Sequence, residues 1–365
     1  MKRIILILLI FRTGIIFSQT DSLKTNYLSI KSSIIHNQEI LAIDNNGKLN
    51  IWDLKTFKKI FQSNNQNTFF TSLGKNKNGQ FFIGTKKGRV LKFDRKEKSI
   101  KQFLKLKKNF WTIEGIVFNA ESEIFLIMPF GIYEPQSDKL WTEFEHKGVL
   151  MTVYVKKFLG FKKRLKKYFS KPDYTFIDKN QIMWMSKTFG EFGSVMQLFD
   201  LKNKKIINLP DSLSFGEPKS MFDSNDGTIF ITSGLHHFMQ SGSITKIKNF
   251  KTIGTYNSNE LKDKDGKLVF PNEIFIGSGN YNPYDKKIYF STTNGVYKTG
   301  FLEGKELKNI ELVFQPKLTW KQEPLAIGID TAIKKIDFLS NGDLILITES
   351  NGIGIYRNNK LNWLN

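Results

Sequence analysis

The sequence predicts an all-β fold in which four-stranded antiparallel units repeat around a single ring, seven of them, with six or eight as the alternatives. Three observations point there. A polar turn followed by a short apolar run recurs along most of the 365 residues. The copies lie about 49 residues apart, room for four short strands each. Because the chain has no cysteine, disulfides and thiolate metal sites cannot organise it, and its 40% apolar and 14% aromatic residues must do so by packing.

Taken in order, Asn45-Asn46-Gly47 sits between Ile40–Ile43 and Leu49–Asp53, and Lys77-Asn78-Gly79 precedes Phe81–Thr85. Weaker copies follow, with Ser122-Glu123 before Ile124–Ile127 and Lys179-Asn180 before Ile182–Met185. The pattern then returns as Asn225-Asp226-Gly227 before Ile229–Thr232, Asp285-Lys286-Lys287 before Ile288–Thr292, and Ser340-Asn341-Gly342 before Leu344–Thr348. Asn-Gly and Asp-Gly accept the positive φ of tight hairpin turns, and the β-branched and aromatic runs beside them favour strands. Four strands in about 40–50 residues is the period of a β-propeller blade. The first inner strand is expected at Tyr27-Leu28-Ser29-Ile30 and the last blade is expected to end at Leu361-Asn362-Trp363-Leu364. Pairing between the two chain ends would then close the ring and remove its free edges.

Several copies resemble known repeats. Asn78-Gly79-Gln80-Phe81-Phe82-Ile83-Gly84-Thr85, followed by Gly88 and Val90-Leu91, resembles the repeat of two-component-regulator propellers, and Ile51-Trp52-Asp53 resembles the end of a WD-repeat. Asn341 to Tyr356 is a third such copy. The resemblance implies a propeller fold and, by itself, no function.

The N-terminus has two basic residues, an apolar run from Ile4 to Phe11, Arg12, a second apolar run and then Ser18-Gln19. That order fits an export signal, and the 14 residues from Ile4 to Phe17 are fewer than the ~20 of a membrane-spanning helix. Residues 1–18 are read as a signal peptide and 19–365 as one propeller domain with an insertion at 146–172. The periplasm is the expected destination, with secretion or an uncleaved anchor, suggested by Arg12, as alternatives.

The net charge is +21, and arginine occupies only six positions. Lysine is a hydrated point charge rather than the planar fork that reads phosphates and bases, so nucleic acid is not the expected partner. Eight basic residues and no acidic one fall between Lys156 and Lys171. At 100° per residue, Phe158, Phe161, Leu165, Tyr168 and Phe169 share an arc of about 100°, which predicts a basic amphipathic helix inserted between blades three and four. Lys156, Lys157, Lys162, Lys163, Arg164, Lys166 and Lys167 with Phe158, Phe161 and Phe169 would dock on an anionic membrane or an acidic partner. Alternatively, the apolar stripe packs on the rim and the lysines are merely solvated.

Catalytic signals are weak. No His-Glu-x-x-His, phosphate loop or nucleophile elbow occurs, and Asp263-Lys264-Asp265-Gly266 lacks the distal glutamate of a calcium loop. His236 and His237, with Glu191 or Glu217, are the only acid–base candidates, and they define the alternative reading of a lyase or hydrolase at the channel mouth. No cofactor or metal is expected. The leading expectation is an exported, monomeric, non-enzymatic binding scaffold at the bacterial cell envelope. Its partner- or ligand-binding face would carry Phe130, Tyr133, Phe189, Phe192, His237, Phe238 and Trp320, because long loops on a rigid scaffold are where binding concentrates.

Overall fold

The computed structural model describes residues 29–64, 68–106, 111–144, 153–156, 162–165, 169–190, 193–210, 212–213, 215–236, 240–300, 307–318 and 333–364. The expected signal peptide at 1–18 lies outside these residues. Among them, seven four-stranded antiparallel sheets follow one another along the chain. Blade 1 is Ile30–His36, Glu39–Asp44, Leu49–Asp53 and Lys58–Gln62; blade 2 is Phe70–Lys75, Phe81–Thr85, Arg89–Asp94 and Ser99–Lys105. Blade 3 is Gly115–Phe118, Ile124–Met128, Gly131–Glu134 and Lys139–Trp141; blade 4 is Tyr174–Ile177, Ile182–Thr188, Ser194–Asp200 and Lys205–Ile207. Blade 5 is Pro218–Asp223, Ile229–His236, Gln240–Lys248 and Lys251–Asn257, and blade 6 is Ile276–Asn282, Lys287–Thr292, Gly295–Gly300 and Lys308–Phe314. Blade 7 is Ile333–Phe338, Leu344–Thr348, Ile353–Arg357 and Lys360–Trp363. This is a seven-bladed β-propeller, with first strands packed along one another between blades 1 and 2, 2 and 3, 4 and 5, 5 and 6, and 6 and 7.

The second strand explains the ring. Antiparallel strands in ordinary sandwiches alternate apolar and polar residues, because one face meets water. Here Phe81–Thr85, Ile124–Met128 and Leu344–Thr348 are buried at every position. Each blade is covered on both faces, and each of the seven blade interfaces holds its own apolar cluster. Fully buried Trp52 fills the interface of blades 7 and 1, Phe125 and Phe199 that of 3 and 4, and Trp184 that of 4 and 5.

The expected pairing of the chain ends does not occur among the described residues. Every blade is built from four consecutive strands; the first described inner strand is Ile30–His36, and Tyr27 and Leu28 of the expected strand lie outside the described residues. Side chains close the ring instead: Leu339, Ile345, Ile353, Ile355 and Leu364 pack on Ile30, Ile40 and Trp52. Arg357, ion-paired to Asp343, also reaches across the seam, with its Nη2 donating to the Leu54 carbonyl and its guanidinium 5.3 Å from the Phe57 ring centroid.

The recurring turns share one geometry. In blades 2, 3, 4, 5 and 7 the first and second strands are joined by a turn whose last residue is left-handed: Gly79, Ser122, Gln181, Gly227 and Gly342, with φ of 72°, 65°, 63°, 77° and 85°. A type I turn ending in a left-handed residue is the usual three-residue hairpin loop. Asn76, Asn119 and Asp178 stiffen it by accepting backbone N–H bonds two and four residues on. Asn45-Asn46-Gly47 has the same form, but it joins the second and third strands of blade 1, so it lies at the opposite end of the ring from the other turns.

The insertion corrects the helical expectation. Val153–Lys156 pairs antiparallel with Lys162–Leu165 in a two-stranded sheet of its own, placing Lys156 opposite Lys162 and Tyr154 opposite Arg164. Val153-Tyr154-Val155 is a β-branched and aromatic run, and Gly160 would cost a helix interior about 1 kcal/mol, so local preference favours a hairpin. Phe169 belongs to neither element, being 7% exposed in the core between blades 3 and 4, with its ring 5.3 Å from that of Phe144. No helix among the described residues is long and apolar enough to cross a membrane.

Two predictions follow from this packing. Phe169→Ala should destabilise the chain by about 3–5 kcal/mol in denaturant titration, the usual range for emptying a buried Phe site, whereas Lys163→Ser should change stability by less than about 0.5 kcal/mol. Equal effects would place Phe169 outside the core. The second concerns alkali: burial, and then the Tyr133 Oη–H bond of 2.5 Å to Asp138, push the Tyr133 phenol up to about 12. Burial and Asp285 likewise raise Tyr289, and burial raises Tyr281 and Tyr297. Above the ordinary phenol value of about 10 the unfolded chain loses protons that the folded chain keeps. Stability held below pH 10 is therefore lost as pH rises toward 12, and denaturation midpoints should fall less steeply in Tyr133→Phe and Tyr289→Phe. Parallel slopes in wild type and both variants would assign the alkaline loss to lysines instead.

Candidate functional site

The two ends of the ring differ in construction. One end carries the turns between first and second and between third and fourth strands, and several of these are braced by a carboxylate that accepts from the turn's own backbone. Asp53 Oδ1 accepts from the N–H groups of Lys55 and Thr56, Asp94 Oδ1 from Lys96 and Glu97, and Asp200 Oδ1 from Asn203. The other end, the channel mouth, carries every inter-blade connection, including the long ones at 106–114, 142–173, 208–217, 258–275 and 315–332.

Paired charges surround the mouth. Lys171 Nζ lies 2.9 Å from Glu114, Lys187 Nζ 2.8 Å from Asp173, and Lys219 Nζ 3.9 Å from Glu217; Lys334 pairs with Glu349. All eight residues sit at the mouth ends of first or second strands or just beyond them. Burial lowers the Lys31 ammonium most; Glu114 works against that shift, while Lys171 and Lys86 add to it. Cationic side chains thus crowd the rim between blades 1 and 4. Locally the sequence marks these residues only as charges beside the inner strands of blades 3, 4, 5 and 7, and which of them pair depends on register and fold.

Blade 5 departs most from its neighbours. Its second and third strands run on as an extended hairpin, Ile229–His236 against Gln240–Lys248, with Gly234 opposite Gly242 and Ser233 opposite Ser243. A Cβ at Gly234 would stand 2.2 Å from the Ile276 carbonyl oxygen, and one at Gly242 would stand 2.5 Å from Ile274 O, so only glycines let blade 6 approach this closely. Beside them a cleft of about 250 Å³ opens, lined by Glu217, Ser233, Ser241, Ser243, Asn257 and Glu273, with Gly216 also in its wall.

The sequence candidates fall in different places. Glu217 lines this cleft, its side chain 9% exposed beside Lys219. His236 ends the extended strand with its ring 6.0 Å from that of Phe275. Phe189 is half-buried in the blade 4 hairpin turn, where its N–H donates to Gly193 O. Phe130 and Tyr133 are packed rather than presented: Phe130 meets Trp111 edge-on at 4.7 Å, and Tyr133 is 8% exposed in the cluster between blades 2 and 3. Lys156, Lys162, Lys163 and Arg164 lie on the two-stranded hairpin. Glu191, Phe192, His237, Phe238, Trp320, Lys157, Phe158, Phe161, Lys166 and Lys167 lie outside the described residues. Among the described residues, no group of three His, Asp or Glu side chains could hold a metal ion.

No protein-family model matches this sequence, and no curated protein matches it. The solved structure of U3-55K matches with a TM-score of 0.53 at 9% identity, over 90% of this chain and 95% of that one. At that identity the likeness extends to the propeller fold and no further.

Proposed function

We propose that the chain is an exported, non-enzymatic scaffold at the cell envelope that captures an acidic partner at the channel mouth. The observation that carries the reading is the asymmetry of the ring: the turn end is closed by short hairpin turns, whereas the mouth gathers the long inter-blade connections and, on one of them, the cationic hairpin. Connections that the fold does not need for packing are the parts free to serve recognition. The Lys156–Lys162 register supports it further, since like charges placed opposite each other destabilise an isolated hairpin and are relieved by an anionic surface. In this reading the repeats are of the WD or two-component-regulator kind, as Gly84-Thr85 with Gly88 and Ile51-Trp52-Asp53 suggest, and residues 1–18 direct export.

The test is capture from a native envelope fraction at low and physiological salt, comparing the intact chain with one in which Lys156, Lys162, Lys163 and Arg164 are all serine. A defined acidic partner should be retained by the intact chain and bind at least about tenfold more weakly to the variant, with a shallower salt dependence. Equal retention by both chains would sink the hairpin's part in the reading. Retention of nothing by either would sink the scaffold itself.

A further inference from the structure

At the fifth position counted from the first apolar residue of the second strand, most described blades carry a hydroxyl residue: Thr85, Ser186, Ser233, Thr292 and Thr348. In blades 2, 6 and 7 the hydroxyl has a fixed task at the hairpin turn. Thr85 Oγ1 donates to Arg89 O at 3.1 Å, Thr292 Oγ1 to Gly295 O at 3.2 Å, and Thr348 Oγ1 to Gly352 O at 2.9 Å. In blade 5 the hairpin continues three residues beyond Ser233, so the turn carbonyl that would receive its hydroxyl is no longer beside it. Ser233 is 2% exposed and its Oγ has no hydrogen-bond partner, yet it lines the 250 Å³ cleft. A buried hydroxyl without a partner costs stability, so its retention here needs a reason.

The surrounding residues supply one. Ser243 is in register with Ser233 on one side and with Asn257 on the other, which sets two hydroxyls and an amide in a row across three strands, about 4.8 Å apart, on one face of the sheet. Ser241 stands two positions from Ser243 on the same face, beside its cross-strand partner Leu235. Glu217 and Glu273 add carboxylate oxygens that only accept, whereas the serines and the asparagine both donate and accept. No lysine or arginine lines the cleft. Its volume falls just below the ~300–1,000 Å³ of pockets for drug-sized ligands, which suits one small molecule.

We propose that this cleft binds one neutral polyhydroxylated molecule of the size of a single sugar ring. Ser233, Ser243 and Asn257 exchange hydrogen bonds with its hydroxyls, and the Glu217 carboxylate accepts from a further one. A cationic ligand is disfavoured on two grounds: Lys219 offsets the Glu217 charge at 3.9 Å, and the whole chain, at +21, repels cations at long range. A neutral polyol meets neither obstacle. The proposal rests on residues distinct from the cationic hairpin and stands or falls apart from the docking of an acidic partner.

Saturation-transfer NMR on the full chain, with D-glucose, D-galactose, D-mannose and N-acetyl-D-glucosamine as probes and ethylammonium as the cationic control, tests it. At least one of the sugars should bind saturably, and both Ser233→Ala and Gly216→Ala should weaken it about tenfold, the loss of roughly one hydrogen bond's discrimination. Gly216→Ala acts by filling, since its Cβ would stand 3.1 Å from that of Ser233. Ser186→Ala is the control, because Ser186 is equally buried and unpartnered at the same position of blade 4 but lies outside the cleft. It should leave binding unchanged, and Ser233→Ala should keep or raise the melting temperature, since it removes an unsatisfied hydroxyl. Binding of the methyl glycoside as well as the free sugar would assign the site to the end of a glycan, and binding of the free sugar alone to a monosaccharide; both support the class. The proposal is overturned if no sugar binds up to about 100 mM, well past the weak millimolar range. It is equally overturned if binding survives both cleft variants, if Ser186→Ala weakens it as much, or if ethylammonium binds in place of the sugars.

Discussion

Two-sided burial of the second strand is the constraint on which the rest of this molecule depends. A sheet whose central strand reads Ile-Phe-Leu-Ile-Met, buried at every position, cannot face water on either side. It needs a neighbour on each, and that neighbour needs another, so the only arrangement without an exposed apolar face is a closed ring. Among the described residues no strand is shared between first and last blades, and the seam between blades 7 and 1 rests on packed side chains and on Arg357 reaching the Leu54 carbonyl. Trp52 and the leucine and isoleucine side chains at that seam therefore do for closure what backbone hydrogen bonds would do in a ring with interlocked ends.

The same constraint sorts the two ends of the ring. Turns joining strands within a blade can be as short as hairpin geometry allows, and those at the turn end are stabilised by Asx contacts from Asn76, Asn119 and Asp178. A connection between blades must travel from an outer strand back to the axis, so added length accumulates only at the mouth. Blade 5 shows a second way of elaborating that end. There two strands outgrow their neighbours, which displaces the hairpin turn and frees a hydroxyl from its turn-capping role without disturbing the apolar positions Ile229 and Ile231 below it.

Much of the fold was legible because positive φ at a tight turn selects residues visibly. Gly79, Gly227 and Gly342 announced their turns; Ser122 and Gln181 adopt the same left-handed conformation without glycine, and their copies accordingly read as weak. A turn signal does not say which two strands it joins: Asn45-Asn46-Gly47 looks like the other copies in sequence yet joins second and third strands, one strand out of step with them. The helix expected over 155–170 failed for a different reason. An apolar arc at 100° per residue is also produced by a strand, a glycine-containing connection and a second strand, and the Val-Tyr-Val run was the cue that should have outweighed it. The channel-mouth charges and the blade 5 cleft were not legible, since both depend on which residues the register brings level. Nothing local in the sequence marks Ser233, Ser243 and Asn257 as one row.

A strongly basic chain whose cleft holds no lysine or arginine divides recognition between two distances. Charges on the hairpin and rim act beyond contact, and their reach shrinks as salt shortens the Debye length to about 8 Å under physiological conditions. The Ser233 cleft acts only on contact, through hydrogen bonds whose strength depends on excluding water rather than on ionic strength. An acidic partner would then be gathered by the first and a neutral hydroxylated group read by the second. Raising salt should weaken the one while leaving the other in place. That difference follows from lysines lying outside the cleft and carboxylates inside it, the reverse of what a site for a phosphate or other anion would require.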